Sequence, residues 1–164
     1  MADNVTNVNG TPASTNEVLE ELWERIAELI GTGGSNVELA YADTSLKVPL
    51  NTSDQYVDAQ GLSITFATSA RPAMVKANIG TLYGSDNATW GVAIIRSSDG
   101  KVVAEGVANS SPSVGYPPPP VLEYRVPANT ASDTYKVKTK RWEGGATGEI
   151  NSQERNAFIQ AVSV

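Results

Sequence analysis

Three runs in the last third of the chain constrain most strongly what it can fold into. At 121–126 (VLEYRV), Leu122, Tyr124 and Val126 alternate with Val121, Glu123 and Arg125. A side-chain period of two puts one set inward and the other outward on a half-buried strand. At 134–142 (TYKVKTKRW), Tyr135, Val137 and Thr139 take one face and Lys136, Lys138 and Lys140 the other, so one face of that strand is strongly basic. The run at 157–164 is apolar on both faces, which predicts a strand in the middle of a sheet or one covered by a neighbouring subunit. Asn, Gly, Ser and Asp fill the gaps between the runs, as turn residues do.

The same pattern continues upstream. Short strands are predicted at 37–41 and 46–48, with a weaker one at 55–57. Leu62, Ile64 and Phe66 share one face, Arg71-Pro72 turns the chain, and 74–82 forms the next strand. The runs at 89–96 and 101–108 flank Ser97-Ser98-Asp99-Gly100, whose Asp-Gly is the strongest short hairpin signal in the chain. Segment 110–120, SSPSVGYPPPP, reads as a long loop with Tyr116 packed on it, since consecutive prolines supply no ladder donors. Roughly eight to ten strands at short, regular spacing predict an all-β fold, an antiparallel jelly-roll β-sandwich.

Ahead of this body, at 36–164, stand two other segments. Residues 1–13 have the polar, Asn- and Thr-rich composition of an extended arm that cannot bury enough surface to fold alone. Residues 14–30 are predicted to form the N-terminal α-helix, followed by a Gly-rich link to residue 35. Ser14 and Glu17 fit a capping box, Glu20 and Glu21 suit the positive N-terminal end, and Gly31 suits a C-terminal cap. Leu19, Leu22, Ile26 and Leu29 recur at three and four, with Trp23 and Ile30 widening the apolar seam. Such a helix either lies on its own subunit or joins a three-helix bundle, and two heptads bundle only if the β domains associate as well.

The chain has no cysteine and no histidine. Thiol nucleophiles, disulfides, zinc fingers and histidine-based triads are therefore excluded, and stability has to come from packing and subunit association. A formal net charge of −6 argues against nucleic acid as a partner, because binding needs a basic footprint to displace counterions. The stripe of Lys136, Lys138, Lys140 and Arg141 is the local exception, read as a solvated strand face or a contact for an acidic partner. Paired carboxylates for acid–base chemistry would have to come from Asp43, Asp54, Asp58, Asp86, Asp99, Asp133, Glu105, Glu143 or Glu149, nearly all in turn contexts that favour Asp structurally. No catalytic residue is assigned. A calcium site would draw on Asp54, Asp58 or the Asp86-Asn87 loop, at a spacing that matches no dedicated calcium loop, so neither a metal nor a cofactor is expected. Trp90, Trp142 and several tyrosines are candidates for a sugar-binding surface, although aromatics in alternating strands more often serve a core or a subunit interface. No run is apolar enough to span a membrane, and MADNVTNVNG lacks the basic and apolar parts of a secretory leader. Synthesis in the cytoplasm, with no membrane partner, is the expectation. The five Asn-x-Ser/Thr triplets at Asn4, Asn9, Asn51, Asn87 and Asn109 then read as chance matches.

The C-terminal third, with its polar loop, TYKVK strand, glycine-rich hairpin and closing apolar strand, resembles the end of tumour-necrosis-factor-like jelly rolls in bacteriophage virion proteins. The GLSITF and AMVKANIG pair and the TWGVAIIRSSDGKVVAEG hairpin extend the resemblance to roughly 50–164. It implies a homotrimer about a threefold axis, with apolar strand faces buried between subunits. It further implies a structural protein at the capsid surface of a virion, with no enzymatic activity and no small-molecule substrate. On this expectation a capsid decoration (cement) or head-fibre protein docks to the major capsid protein of the same virion through its arm and helix. Leu19, Leu22, Trp23, Ile26, Leu29 and Ile30 then form the trimer or capsid interface, and Asp3, Asn4, Val5 and Val8 belong to the docking arm. A receptor-binding tail-fibre tip that recognises a host-surface glycan needs the same trimer, arm and loops, and stays open at the level of sequence.

Overall fold

In a computed structural model, residues 18–22, 37–44, 47–50, 53–84, 88–110, 121–143, 147–151 and 157–164 are described. The chain divides into two compact units, Met1–Asn36 and Val37–Val164. In the first, residues 18–22 are helical, inside the predicted helix. The rest of that helix with its capping residues, the arm at 1–13 and the proline segment at 111–120 with Tyr116 lie outside the described residues.

The second unit is built from strands β1 (Glu38–Thr44), β2 (Lys47–Leu50), β3 (Val57–Phe66), β4 (Ala73–Asn78), β5 (Thr81–Gly84), β6 (Ala88–Arg96), β7 (Val102–Ser110), β8 (Leu122–Val126), β9 (Asp133–Glu143), β10 (Gly148–Asn151) and β11 (Ala157–Ser163). They form two four-stranded sheets, β1-β11-β4-β8 and β3-β9-β6-β7, and a small sheet, β2-β10-β5. Every pairing among the described residues is antiparallel. The chain crosses back and forth between the two large sheets, and only β6 and β7 follow one another within a large sheet. This is an antiparallel jelly-roll β-sandwich.

The period of two explains how these runs make a core. Along β11, Ala157, Ile159, Ala161 and Ser163 are buried, while Phe158, Gln160 and Val162 are half-buried. Bonded to β1 on one side and β4 on the other, β11 is the interior strand its double-sided apolar pattern predicts. Facing it across the sandwich, Leu62, Ile64 and Phe66 of β3, Trp90, Val92 and Ile94 of β6, and Tyr135 and Val137 of β9 join one buried cluster. At about 1.5–3 kcal/mol for each fully buried large aliphatic side chain, this cluster is the principal stabilising element.

The β6–β7 hairpin forms at the predicted Asp-Gly. Arg96 N–H bonds to Lys101 C=O at 2.9 Å, and Gly100 sits at φ +68°, where a Cβ would be strained. Asp99 accepts the Lys101 amide at 3.1 Å and the Arg96 guanidinium at 2.5 Å. Asp133 reaches across from β9 to take the Ser98 hydroxyl at 2.5 Å.

Three expectations need correction. The single strand predicted at 74–82 is two strands in different sheets, β4 and β5. Gly80, at φ +69° and with its amide on the Asn78 side-chain oxygen at 2.8 Å, turns the chain between them. Of the weak run at 55–57 only Val57 is strand, the first residue of β3, whose register against β9 jumps between Asp58 and Ser63, so that residues 59–62 bulge out of the ladder. β10 was not expected. It pairs with β2 and β5 and buries Ile150 against the end of the core.

Tyr135 lies in this core, its ring stacked on Phe66 at 5.3 Å, and its buried hydroxyl has no hydrogen-bond partner among the described residues. An unsatisfied buried hydroxyl costs about 1–3 kcal/mol. Tyr135→Phe should therefore leave urea stability unchanged or raise it by about 1 kcal/mol, whereas Ile159→Ala, which opens a cavity beneath β11, should lower it by about 2–5 kcal/mol. A large loss in Tyr135→Phe would show that the hydroxyl is bonded.

Candidate functional site

Of the residues predicted for a trimer or capsid interface, Leu19 and Leu22 fall in the helical segment and are 48% and 44% exposed. Three residues apart, they share one side of a helix. Trp23, Ile26, Leu29, Ile30, Asp3, Asn4, Val5 and Val8 lie outside the described residues.

The sandwich has two outer faces of different chemistry. On β1-β11-β4-β8 the outward set is Leu39, Tyr41 and Asp43 of β1, Phe158, Gln160 and Val162 of β11, Met74, Lys76 and Asn78 of β4, and Glu123 and Arg125 of β8. Tyr41 stacks on Phe158 at 6.3 Å and is itself 45% exposed. Val162 and Met74 stand in register beside one another, so an apolar band crosses the face. Of the polar residues among it, Lys76 pairs with Glu123 at 3.0 Å.

The outer face of β3-β9-β6-β7 carries the lysine stripe. Register places Lys136 beside Ile95, Lys138 beside Ala93 and Lys140 beside Gly91 of β6. Ala93 and Ile95 are buried although they point away from the core, because the lysine stems cover them while the ammonium groups reach outward. Neither a freely solvated face nor a bare basic surface describes this stripe. Asp58 of β3 binds Lys136 at 2.8 Å and Lys138 at 2.9 Å, and Glu105 of β7 lies 3.5 Å from Lys140. Glu105 also accepts the Tyr56 hydroxyl, which crosses the face from the residue ahead of β3. Burial and then this bond push the Tyr56 hydroxyl well above its ordinary pKa, so it stays protonated. Lys140 lies 4.3 Å from the Tyr56 ring centroid and 5.3 Å from that of Trp142, within cation–π range of both.

The two tryptophans considered for sugar binding separate here. Trp90 is fully buried, and a core role is the correct one. Trp142 occupies a register irregularity of β9 opposite Thr89 and Trp90, and is 45% exposed. Its indole rests on Gly91, where a Cβ would stand 3.0 Å from Nε1 and 3.1 Å from Cε2.

Several of the candidate carboxylates are engaged in structure. Asp58, Asp99, Asp133 and Glu105 hold the contacts given above, Asp43 accepts the Tyr41 hydroxyl at 3.2 Å, and Asp86 with Asn87 falls outside the described residues. No group of three metal-ligating side chains occurs among the described residues. Asp58, a suggested calcium ligand, already faces two ammonium groups, an environment that opposes a cation.

Hydrogen bonds from Lys136 and then Lys138 hold the Asp58 carboxyl below its ordinary pKa. A depressed folded pKa contributes stability that is present above the unfolded value, about 4, and is lost as pH falls through the folded value. Wild-type protein should therefore lose stability below about pH 4 more steeply than Asp58→Asn, measured by denaturant titration at each pH; parallel curves would remove the carboxylate from the acid response. No protein-family model matches the chain, and no curated protein matches it.

Proposed function

We propose that the chain is a structural virion protein of a bacteriophage, a homotrimeric capsid decoration or head-fibre protein that docks to the shell through its N-terminal arm and helix. The observation that carries this reading is the apolar band on the outer face of β1-β11-β4-β8, where Leu39 and Tyr41 are exposed and Phe158, Val162 and Met74 are half-buried. Apolar surface of this kind marks an interaction site, and a closed threefold arrangement lets each copy bury it against the next.

Two further observations support the reading. The jelly-roll order of the sheets is the fold that the virion resemblance implies. Leu19 and Leu22 are exposed in the single chain, as the seam of a three-helix bundle is before assembly. Association through the β domains supplies the affinity that a two-heptad helix lacks. In this reading the sandwich fixes the trimer, and the segment before Val37 reaches the major capsid protein.

Light scattering should give a mass near three times 17.3 kDa. Tyr41→Glu with Phe158→Glu should yield a folded monomer, since both side chains lie outside the core. A wild-type protein that is monomeric at micromolar concentration would overturn the trimer.

Shell docking is tested separately. Full-length protein should co-sediment saturably with mature empty shells of the parent virus, and protein lacking residues 1–33 should not. Binding to host cells that survives this deletion would instead favour a receptor-binding tip.

A further inference from the structure

The outer face of β3-β9-β6-β7 holds an aromatic side chain that the core does not use. Trp142 is nearly half exposed, yet it is not a loose surface ring. Its indole is seated on Gly91, and Lys140 Cε lies 3.1 Å from the position a Cβ of Gly91 would take. A glycine in the centre of a strand weakens it; here it makes the space in which Trp142 and the Lys140 stem lie close to the sheet. The result is a fixed apolar plane at the surface.

The rim of that plane is polar and ordered. The Lys140 ammonium sits between the Tyr56 and Trp142 rings, and the Glu105 carboxylate is shared between Lys140 and the Tyr56 hydroxyl. These groups narrow the chemistry of a ligand. Two aromatic rings with a nearby carboxylate would suit an ammonium ligand, but Lys140 already fills that place. Nucleic acid would stack on the indole but needs free cations for its phosphates, and the lysines here have carboxylate partners. An extended peptide needs an unpaired strand edge, whereas beside Trp142 the strand is flanked by β6 on one side and on the other by the segment ahead of β3, where the Arg141 amide bonds to the Ser53 carbonyl at 2.9 Å. A pyranose ring fits. It has an apolar C–H face to lay on an indole and rim hydroxyls that both donate and accept, which Lys140 as donor and Glu105 as acceptor complement.

We propose that Trp142, with Lys140, Glu105 and Tyr56 at its rim and Gly91 beneath it, is a saccharide-binding platform. It lies on the opposite sheet from the apolar band, so a subunit or shell contact there leaves it open, and it stands or falls independently of the virion reading.

The test uses the full-length protein, titrated with oligosaccharides of glucose, of N-acetylglucosamine and of N-acetylneuraminic acid. The ¹⁵N-labelled indole N–H signals report which tryptophan responds. At least one probe should bind with Kd of about 1 mM or tighter and move the Trp142 signal while leaving Trp90 unmoved. Trp142→Ala should weaken that binding by about tenfold or more at unchanged Tm, and Trp142→Phe should stay within about threefold, because stacking needs a ring. Gly91→Ala, which displaces the indole without removing it, should weaken binding with the tryptophan still present. Absence of any Trp142 response to all three probes at about ten times that concentration would overturn the proposal. So would binding that Trp142→Ala leaves intact.

Discussion

Nested antiparallel pairing is the constraint on which the sandwich depends. β6 pairs with β7, β4 with β8, β3 with β9, β2 with β10 and β1 with β11, so each pair encloses the one before it in a single long hairpin that rolls up. The innermost pair is closed by a short loop, and Asp99, Gly100 and Arg96 fix its register with local bonds. Each outer pair joins residues further apart in the chain and bears the larger loop-closure cost. The outermost, β1 with β11, is stable only because β11 also bonds β4 and buries Ile159 and Ala161 between the sheets. Folds dominated by such distant pairings form slowly.

The sequence displayed this architecture where side-chain alternation was clean. β8, β9 and β11 follow their periods of two, and β6 with β7 follows the Asp-Gly signal. Alternation failed where both faces are apolar or where the chain changes sheet. The run from Met74 to Leu82 alternates as far as Ile79 and reads as one strand, and the turn at Gly80, with its amide on the Asn78 side-chain oxygen, divides it between two sheets. β10 hides beside a glycine-rich stretch of sequence because four residues are too few to show a period.

The lysine stripe was legible but its meaning was not. That Asp58 meets Lys136 across 78 residues is a fact of register, not of local pattern. Trp90 and Trp142 were equivalent candidates in the sequence. A strand of nearly continuous apolar residues, such as the one that holds Trp90, does not announce which side faces the core, whereas Trp142 continues the outward set of Lys136, Lys138 and Lys140; its place at a register irregularity of β9 with β6 is a fact of pairing. The two outer faces consequently do different things. One leaves aromatic and aliphatic groups uncovered, while the other screens its small residues with charged stems and ties those charges to each other.

The adjacency of β1 and β11 has a mechanical consequence. Val37 accepts the Ser163 amide at 2.8 Å, while the partnered residues at the far end are Thr44 and Ala157. Tension applied between Val37 and Val164 would enter at one end of the ladder and peel its bonds in succession, the weak unzipping direction. Tension entering at Val37 and leaving through the outer surface of the same sheet would instead load the bonds of β1 together, in shear. A subunit tethered by the segment before Val37 and gripped by its neighbours across the sheet would be pulled along its strong axis, a difference that single-molecule stretching with the two attachment geometries would read directly as force.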